Sequence, residues 1–220
     1  MTNPAPLISA FRQALSEAWA NGAGAFLPAS FFAGAAILVP FTMGAEIEVL
    51  SRIGPDVLWL SLALASFVTL ERIFQADLQD GALDLWAQEA TPISLIALTK
   101  TLAHWLISGL PLDLLTPVLG LMLTVPAEKT LPAMIAYGLG GLTFFLWGGV
   151  AAALSASIAR GGLLIALLAL PFYFPTLIFG ALALQGGLTA TPGLLLIAST
   201  LFALGVAPLA MGAALRLATD

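Results

Sequence analysis

Cysteine is absent from this 220-residue sequence, and histidine and lysine are scarce. Without cysteine, the chain cannot hold a disulfide framework, an iron–sulfur cluster or a thiolate zinc site. The single histidine excludes metal sites built from several histidines. Neither of the two lysines, Lys100 and Lys129, follows a glycine, so the sequence contains no P-loop for nucleotide phosphates. We therefore expect neither a metal site nor an ATP-binding P-loop in this chain.

Charge is also scarce: 9% of the residues are charged and 60% are hydrophobic. The mean hydropathy is +1.03. Soluble domains carry about a quarter of charged residues, so these few charges could not cover a soluble surface. The seven basic residues form no patch, which argues against a nucleic-acid partner. The composition predicts an all-α, polytopic membrane protein that contacts lipid over much of its surface.

Charges divide the sequence into long apolar stretches. The longest charge-free stretch, residues 161–215, can hold two spans joined by a turn rich in Gly and Pro. A transmembrane helix needs about 20 apolar residues, and the remaining stretches supply the other spans. We predict one transmembrane domain over residues 1–220, with six transmembrane helices. Their expected positions are 26–45, 56–74, 101–125, 130–159, 161–184 and 193–215.

The first residues and the basic residues predict how the chain sits in the membrane. Residues 1–24 are expected to form an N-terminal interfacial helix, because apolar side chains recur there at helical spacing. Five of the seven Lys and Arg residues fall on the side of the two termini, and two fall on the other side. Because Lys and Arg collect on the cytoplasmic side, both termini are predicted to be cytoplasmic. The apolar residues of the N-terminal helix are Leu7, Ile8, Phe11, Leu15, Ala18 and Trp19.

One long polar segment interrupts the apolar sequence. Residues 71–100 hold seven of the nineteen charges, and residues 71–92 predict an amphipathic helix or helix pair that breaks at Gly81. Helical spacing places its acids on one face, which suits a basic groove on a cytoplasmic protein; the alternative is a solvated loop. The residues assigned to this coupling segment are Glu71, Arg72, Phe74, Asp77, Leu78, Asp80, Gly81 and Asp84.

Two polar residues fall inside the third predicted span. A carboxylate in mid-bilayer costs about 2.5–3.5 kcal/mol, so Asp113 should face protein or water, either as a functional group or as an acid tolerated beside Thr116. His104 is able to ligate haem iron, shuttle protons or simply hydrogen-bond locally. Nine residues separate the two, which places them on opposite helix faces and argues against a pair.

Several prolines fall inside the predicted spans, and the sequence contains no set of residues typical of a catalytic site. Prolines inside spans remove backbone hydrogen bonds and permit kinks. No triad and no paired acid and base with a plausible site occurs, so we expect no catalytic residues. The prolines expected to kink the spans are Pro111, Pro117, Pro171 and Pro175.

The polar segment also carries a family resemblance. Residues 70–81 read LERIFQADLQDG, which resembles the LERLFRDDLQDG stretch of CcmB, the haem exporter B permease of the cytochrome c maturation machinery. The similarity runs through nearly the whole chain in the same order, with a family-like length and number of spans. Further similar stretches are 103–105, 109–112, 160–164, 175–179 and 213–216.

The resemblance implies a particular architecture and set of partners. The fold would be that of an ABC-2 type permease, a non-catalytic subunit in the bacterial inner (cytoplasmic) membrane. A separate CcmA-like subunit would bind and hydrolyse ATP, in agreement with the missing P-loop. The other expected partners are a CcmC-like haem-handling protein, a small CcmD-like subunit and a CcmE-like haem chaperone. Haem would be a candidate cargo rather than a bound cofactor, and a homodimer within the complex is one expected arrangement.

Three other functions are compatible with the same residues. A different ABC-2 permease would export lipid, polysaccharide or drug with the same fold. A proton-coupled carrier would use Asp113 and would transport without ATP. A purely structural assembly subunit would be needed only for the complex to form.

Overall fold

The computed structural model describes residues 5–20, 26–44, 46–70, 72–88, 90–158 and 162–219. All regular elements within these ranges are helical, and none of the described residues forms a strand. In chain order the helices are α1 (Ala5–Ala20), α2 (Phe26–Met43), α3 (Ile47–Leu70), α4 (Arg72–Gln79), α5 (Ala82–Gln88), α6 (Ile93–His104), a π-helical turn (Trp105–Gly109), α7 (Leu110–Met122), α8 (Ala127–Leu154), α9 (Gly162–Gly186) and α10 (Thr191–Thr219).

Six helical runs in the described part of the chain are long and apolar enough to cross a membrane. This confirms the prediction of an all-α, polytopic protein with six transmembrane helices. The runs are Phe26–Met43, Ile47–Gln79, Ile93–Met122, Ala127–Leu154, Gly162–Gly186 and Thr191–Ala218.

Two of these helices begin earlier than the charges suggested. Spans were expected near 56–74 and 101–125, but α3 begins at Ile47 and α6 at Ile93. Charges were taken as helix ends, whereas Asp56 and Lys100 both lie within helices. Each has a polar partner there: Gln185 Nε2 donates to Asp56 Oδ2 at 3.4 Å, and Lys100 pairs with an aspartate. A charge with a partner does not have to end a helix.

Helix α1 packs on α6, and the most buried of its described side chains are alanines rather than large apolar residues. Ala10 and Ala14 are buried, whereas Ile8 of the expected apolar face is 51% exposed. Small side chains permit close helix packing, which explains why the alanines occupy the contact. The side chains of Ala18 and Trp19 lie outside the described part. The interfacial location of α1 stays a prediction.

The centre of the bundle is α8, which packs against α3, α9 and α10. Trp59 of α3 is buried there, and its indole N–H donates to the carbonyl of Leu177 at 3.0 Å. A Cβ on Gly140 or on Gly180 would come within 1.9 Å of the indole ring. Glycine at these two positions therefore makes room for the ring between α8 and α9.

A second aromatic group ties the same three helices together. The Tyr173 hydroxyl of α9 donates to the carbonyl of Phe144 at 2.7 Å and lies 2.9 Å from Ser66 Oγ of α3. Phe67 stacks on the Tyr173 ring at 4.7 Å between centroids. Buried phenol hydroxyls need such partners. Together with the Trp59 contact, these interactions join α3, α8 and α9 at the centre of the bundle.

The π-helical turn lies between α6 and α7, directly before Pro111. Its hydrogen bond runs from the Leu110 N–H to the Trp105 carbonyl. A proline ring clashes with the carbonyl four residues earlier in an α-helix, and the wider π turn relieves this clash. Pro117 lies inside α7, and Pro171 and Pro175 lie inside α9. Whether the four prolines bend their helices stays a prediction.

Candidate functional site

The coupling segment is a pair of short helices, α4 and α5, joined at the break that the sequence predicts. Gly81 adopts a φ of +74°, a backbone conformation that favours glycine. Beneath the pair, Phe74 of α4 and Leu83 of α5 are fully buried. Leu78 is half-buried, while Glu71 and the side chain of Arg72 lie outside the described part. The turn at Gly81 is therefore held against the bundle by an apolar anchor from each helix.

Helical spacing predicted that the acids of this segment lie on one exposed face. This prediction is wrong. Asp77 is only 1% exposed, whereas Asp80 and Asp84 are exposed. The break at Gly81 interrupts the spacing on which the prediction relied. Helical spacing also places Leu85 on one face with Phe74 and Leu78, yet Leu85 is 67% exposed. Asp77 therefore belongs to the interior of the protein and not to a surface that a partner would contact.

Asp77 instead forms a buried ion pair with Lys100 of α6. The Lys100 ammonium donates to Asp77 Oδ2, and the two side chains are 2% and 0% exposed. Gln13 Nε2 of α1 donates to Asp77 Oδ1 at 3.4 Å. The Trp86 ring of α5 faces the ammonium at 5.1 Å, a cation–π distance. We call these four residues, which come from four helices, the polar junction.

The exposed part of the segment combines acids with one large apolar side chain. We call it the turn surface: Gln79, Asp80, Asp84, Leu85 and Gln88 are all exposed. An apolar side chain with an acidic rim is typical of a protein contact rather than of a lipid contact, because anionic lipid head groups repel carboxylates. The turn surface can bind a groove that has an apolar centre and basic edges.

A second polar region lies in the opposite half of the bundle. Asp113 of α7 faces α8, where a Cβ on Gly138 would lie 3.2 Å from its Oδ2. Asp113 Oδ1 is buried and has no hydrogen-bond partner among the described residues, and the same holds for Asp56 Oδ1. Nearby, the Tyr137 hydroxyl donates to the carbonyl of Pro55 at 2.9 Å. The Thr116 hydroxyl donates to the backbone carbonyl of Asp113 at 2.7 Å and not to its carboxylate.

The space beside this region is small. A cavity of about 20 Å³ lies between α3, α7 and α8 and is lined by residues that include Pro55, Thr116 and Tyr137. This volume is enough for about one water molecule. It is far too small for haem, so this region offers no binding pocket for that molecule in the conformation described.

His104 does not join Asp113. Its ring lies 5.8 Å from the Phe145 ring of α8 and faces the backbone of Thr69. Phe145 and Gly138, the α8 neighbours of the two polar residues, are seven residues or about 10 Å apart along the helix. His104 Nε2 is buried without a hydrogen-bond partner among the described residues. An axial haem ligand needs a ring nitrogen that the iron can reach, and the burial of Nε2 gives no support to that role.

Four residues of these regions are not among the predicted site residues: Gln13, Trp86 and Lys100 of the polar junction, and Leu85 of the turn surface. One signal was available, because Asp77 lies within the segment and Lys100, of opposite charge, follows it. For Gln13 and Trp86 there was none, because only the packing of α1 and α5 brings them to the pair.

The described part of the chain thus defines a multi-pass α-helical membrane protein with a two-helix polar segment at one end of the bundle. Comparison with known proteins narrows this class. The family model of the CcmB protein matches residues 6–218. The chain belongs to the CcmB family.

Several relatives carry the name Heme exporter protein B. The chain is 42% identical to that of Bradyrhizobium diazoefficiens over 206 residues, which cover 90% of this chain and 92% of the relative. It is 43% identical to that of Paracoccus denitrificans over 199 residues, covering 89% and 91% of the two chains. It is 34% identical to that of Escherichia coli K12 over 211 residues, covering 94% and 96%.

Proposed function

We propose that this chain is the membrane permease subunit of an ABC transporter complex that serves haem delivery in c-type cytochrome biogenesis. Membership of the CcmB family carries the proposal, together with relatives that are named Heme exporter protein B. The six helices that are long and apolar enough to span a membrane would supply its transmembrane body, which in this proposal has the ABC-2 type fold. The sequence has no P-loop, so in this proposal a separate subunit hydrolyses ATP and this chain serves as a non-catalytic subunit.

The turn surface is the contact for the ATPase subunit in this proposal. Leu85 would enter an apolar pocket of the CcmA-like partner, and Asp80 and Asp84 would face basic residues at its rim. Buried apolar anchors supply most of the binding energy in such interfaces, and rim charges contribute mainly orientation. Closure of the ATPase dimer would then displace α4 and α5, and the helices joined to them would shift within the membrane.

The remaining partners follow from the family. A CcmC-like haem-handling protein and a CcmD-like small subunit would complete the membrane complex, with a homodimer of this chain as one arrangement. ATP hydrolysis would release a haem-loaded CcmE-like chaperone outside the cytoplasm. Haem is cargo of the complex here. No residue of this chain is assigned to hold it.

The proposal places the protein in the bacterial inner membrane with both termini in the cytoplasm. The excess of Lys and Arg on the side of the termini supports this orientation. Two contacts agree with it, because Gln13 of α1 reaches Asp77 and α10 contacts α5. Both terminal helices therefore reach the same end of the bundle as the coupling segment, where the ATPase subunit would bind.

Reversal of the turn surface tests the contact. The variant Asp80→Lys/Asp84→Lys/Leu85→Glu should lose co-purification of the ATPase subunit by on the order of tenfold or more, because the apolar anchor and both acids are gone. Glu48→Lys is a matched control, since Glu48 is an exposed acid at the start of α3. Full co-purification and haem release by the triple variant would remove this surface from the mechanism.

A further inference from the structure

We propose that Asp77 and Lys100 are positioning residues that transmit movement of the coupling segment to α6 through their charges. The inference rests on the proposed function and assigns a role to residues away from the turn surface. It begins from where the pair lies: Asp77 is three residues after the buried anchor Phe74, and Lys100 is inside a helix of the bundle. The ion pair is thus a direct side-chain contact between the segment and the bundle.

The polar junction holds the pair in one arrangement. Gln13 donates to one carboxylate oxygen of Asp77 and Lys100 donates to the other, while Trp86 faces the ammonium. Both charged side chains are withdrawn from solvent. A slip of α4 along α6 would separate two buried charges, which is strongly unfavourable. A contact between apolar side chains would tolerate the same slip, so the charges specify the register of the two helices.

Helix α6 is in turn fixed to α10, beside the ion pair. Thr101 Oγ1 donates to Met211 Sδ at 3.3 Å. A Cβ on Gly212 would lie 2.9 Å from Ser94 Cβ, so the two helix backbones approach closely there. Movement of α4 that reaches Lys100 therefore also reaches α10.

The π-helical turn begins five residues after Lys100 and separates α6 from α7. Such turns are frequent at functional sites, and they let one part of a helix shift relative to the next. Within the turn, a Cβ on Gly109 would lie 2.5 Å from Trp105 Cδ1, so the ring packs directly on the glycine. A displacement of α6 would therefore be accommodated at this turn and passed to α7.

A variant without either charge, which we call the neutral pair, distinguishes transmission of movement from a contribution to the stability of the fold. The variant Asp77→Leu/Lys100→Met replaces both charged side chains by apolar ones of similar volume, and such exchanges of a buried ion pair often leave stability unchanged. In the complete complex we expect normal co-purification of the ATPase subunit and continued ATP hydrolysis. Release of the haem-loaded chaperone should fall on the order of tenfold. Glu48→Gln/Arg52→Met removes two exposed charges from α3 and should leave release unchanged.

Two results would overturn the proposal. Release at the rate of the unaltered chain would show that the charges are not needed. Loss of the ATPase subunit from the neutral-pair complex would show that the pair only holds the turn surface in shape.

A readout without haem keeps this test separate from the proposed function. The chain has no cysteine, so Ala127→Cys places a single thiol on an exposed residue at the start of α8, beyond α7. ATP should change its labelling rate severalfold with the native pair and leave it unchanged with the neutral pair. The same ATP-dependent change in both would overturn the proposal. Absence of haem release by the unaltered complex would count against the proposed function alone.

Discussion

The two polar regions of this protein bury the same kind of side chain in opposite ways. At the end with the coupling segment, Asp77 is bonded through both carboxylate oxygens, to Lys100 and to Gln13. In the other half, Asp56 and Asp113 each keep one buried oxygen without a partner among the described residues. A buried acid in this protein therefore either has partners for both carboxylate oxygens or leaves one oxygen without a partner among the described residues. We expect the hydrogen-bond partners of the acid to decide how much its replacement lowers the free energy of unfolding.

The largest effect is expected where the charges are paired. Lys100→Met takes the pairing cation from Asp77 and should lower the free energy of unfolding by about 3–5 kcal/mol. Thermal unfolding of the purified protein in detergent measures this. The neutral pair Asp77→Leu/Lys100→Met should recover most of the loss. If Lys100→Met were as stable as the unaltered chain, the paired acid would contribute no more to stability than the unpaired ones.

The packing between the two regions should give the next largest effect. Gly180→Ala places a Cβ 1.9 Å from Trp59, so the ring or the backbone must move, at a cost of about 1–3 kcal/mol. The control is Gly205→Ala on α10, because a Cβ there meets no atom within 4 Å. The same unfolding assay compares the two. Equal stability would show that the contact of Trp59 with α9 is not required.

The smallest effect is expected at Asp113. Asp113→Asn removes a charge but no hydrogen bond of Oδ1, so stability should change by less than about 1 kcal/mol and haem release should continue. Release assayed with and without a pH gradient is the appropriate measurement. Loss of transport that depends on the gradient would instead favour a proton-coupled carrier.

Much of the fold could be predicted because its signals are local. Six spans follow from apolar stretches bounded by charges, and the break at Gly81 follows from a glycine between two helical patterns. The burial of Asp77 could not be predicted in this way, since its partner lies 23 residues away on another helix. The same holds for α1, where Ala10 and Ala14 are buried only because α6 approaches closely. Burial is decided by such contacts between elements, which spacing within one element does not contain.

Complementation in a bacterium tests whether this chain serves haem delivery to c-type cytochromes. The chain would be expressed with its native partner proteins in a bacterium that lacks its own CcmB-type subunit. Covalently bound haem in c-type cytochromes would be measured beside haem retained on the chaperone. The account predicts restored cytochromes with the unaltered chain, and haem trapped on the chaperone with the turn-surface variant. Correct insertion and ATPase binding without restored cytochromes would contradict it and leave an ABC-2 permease for another substrate.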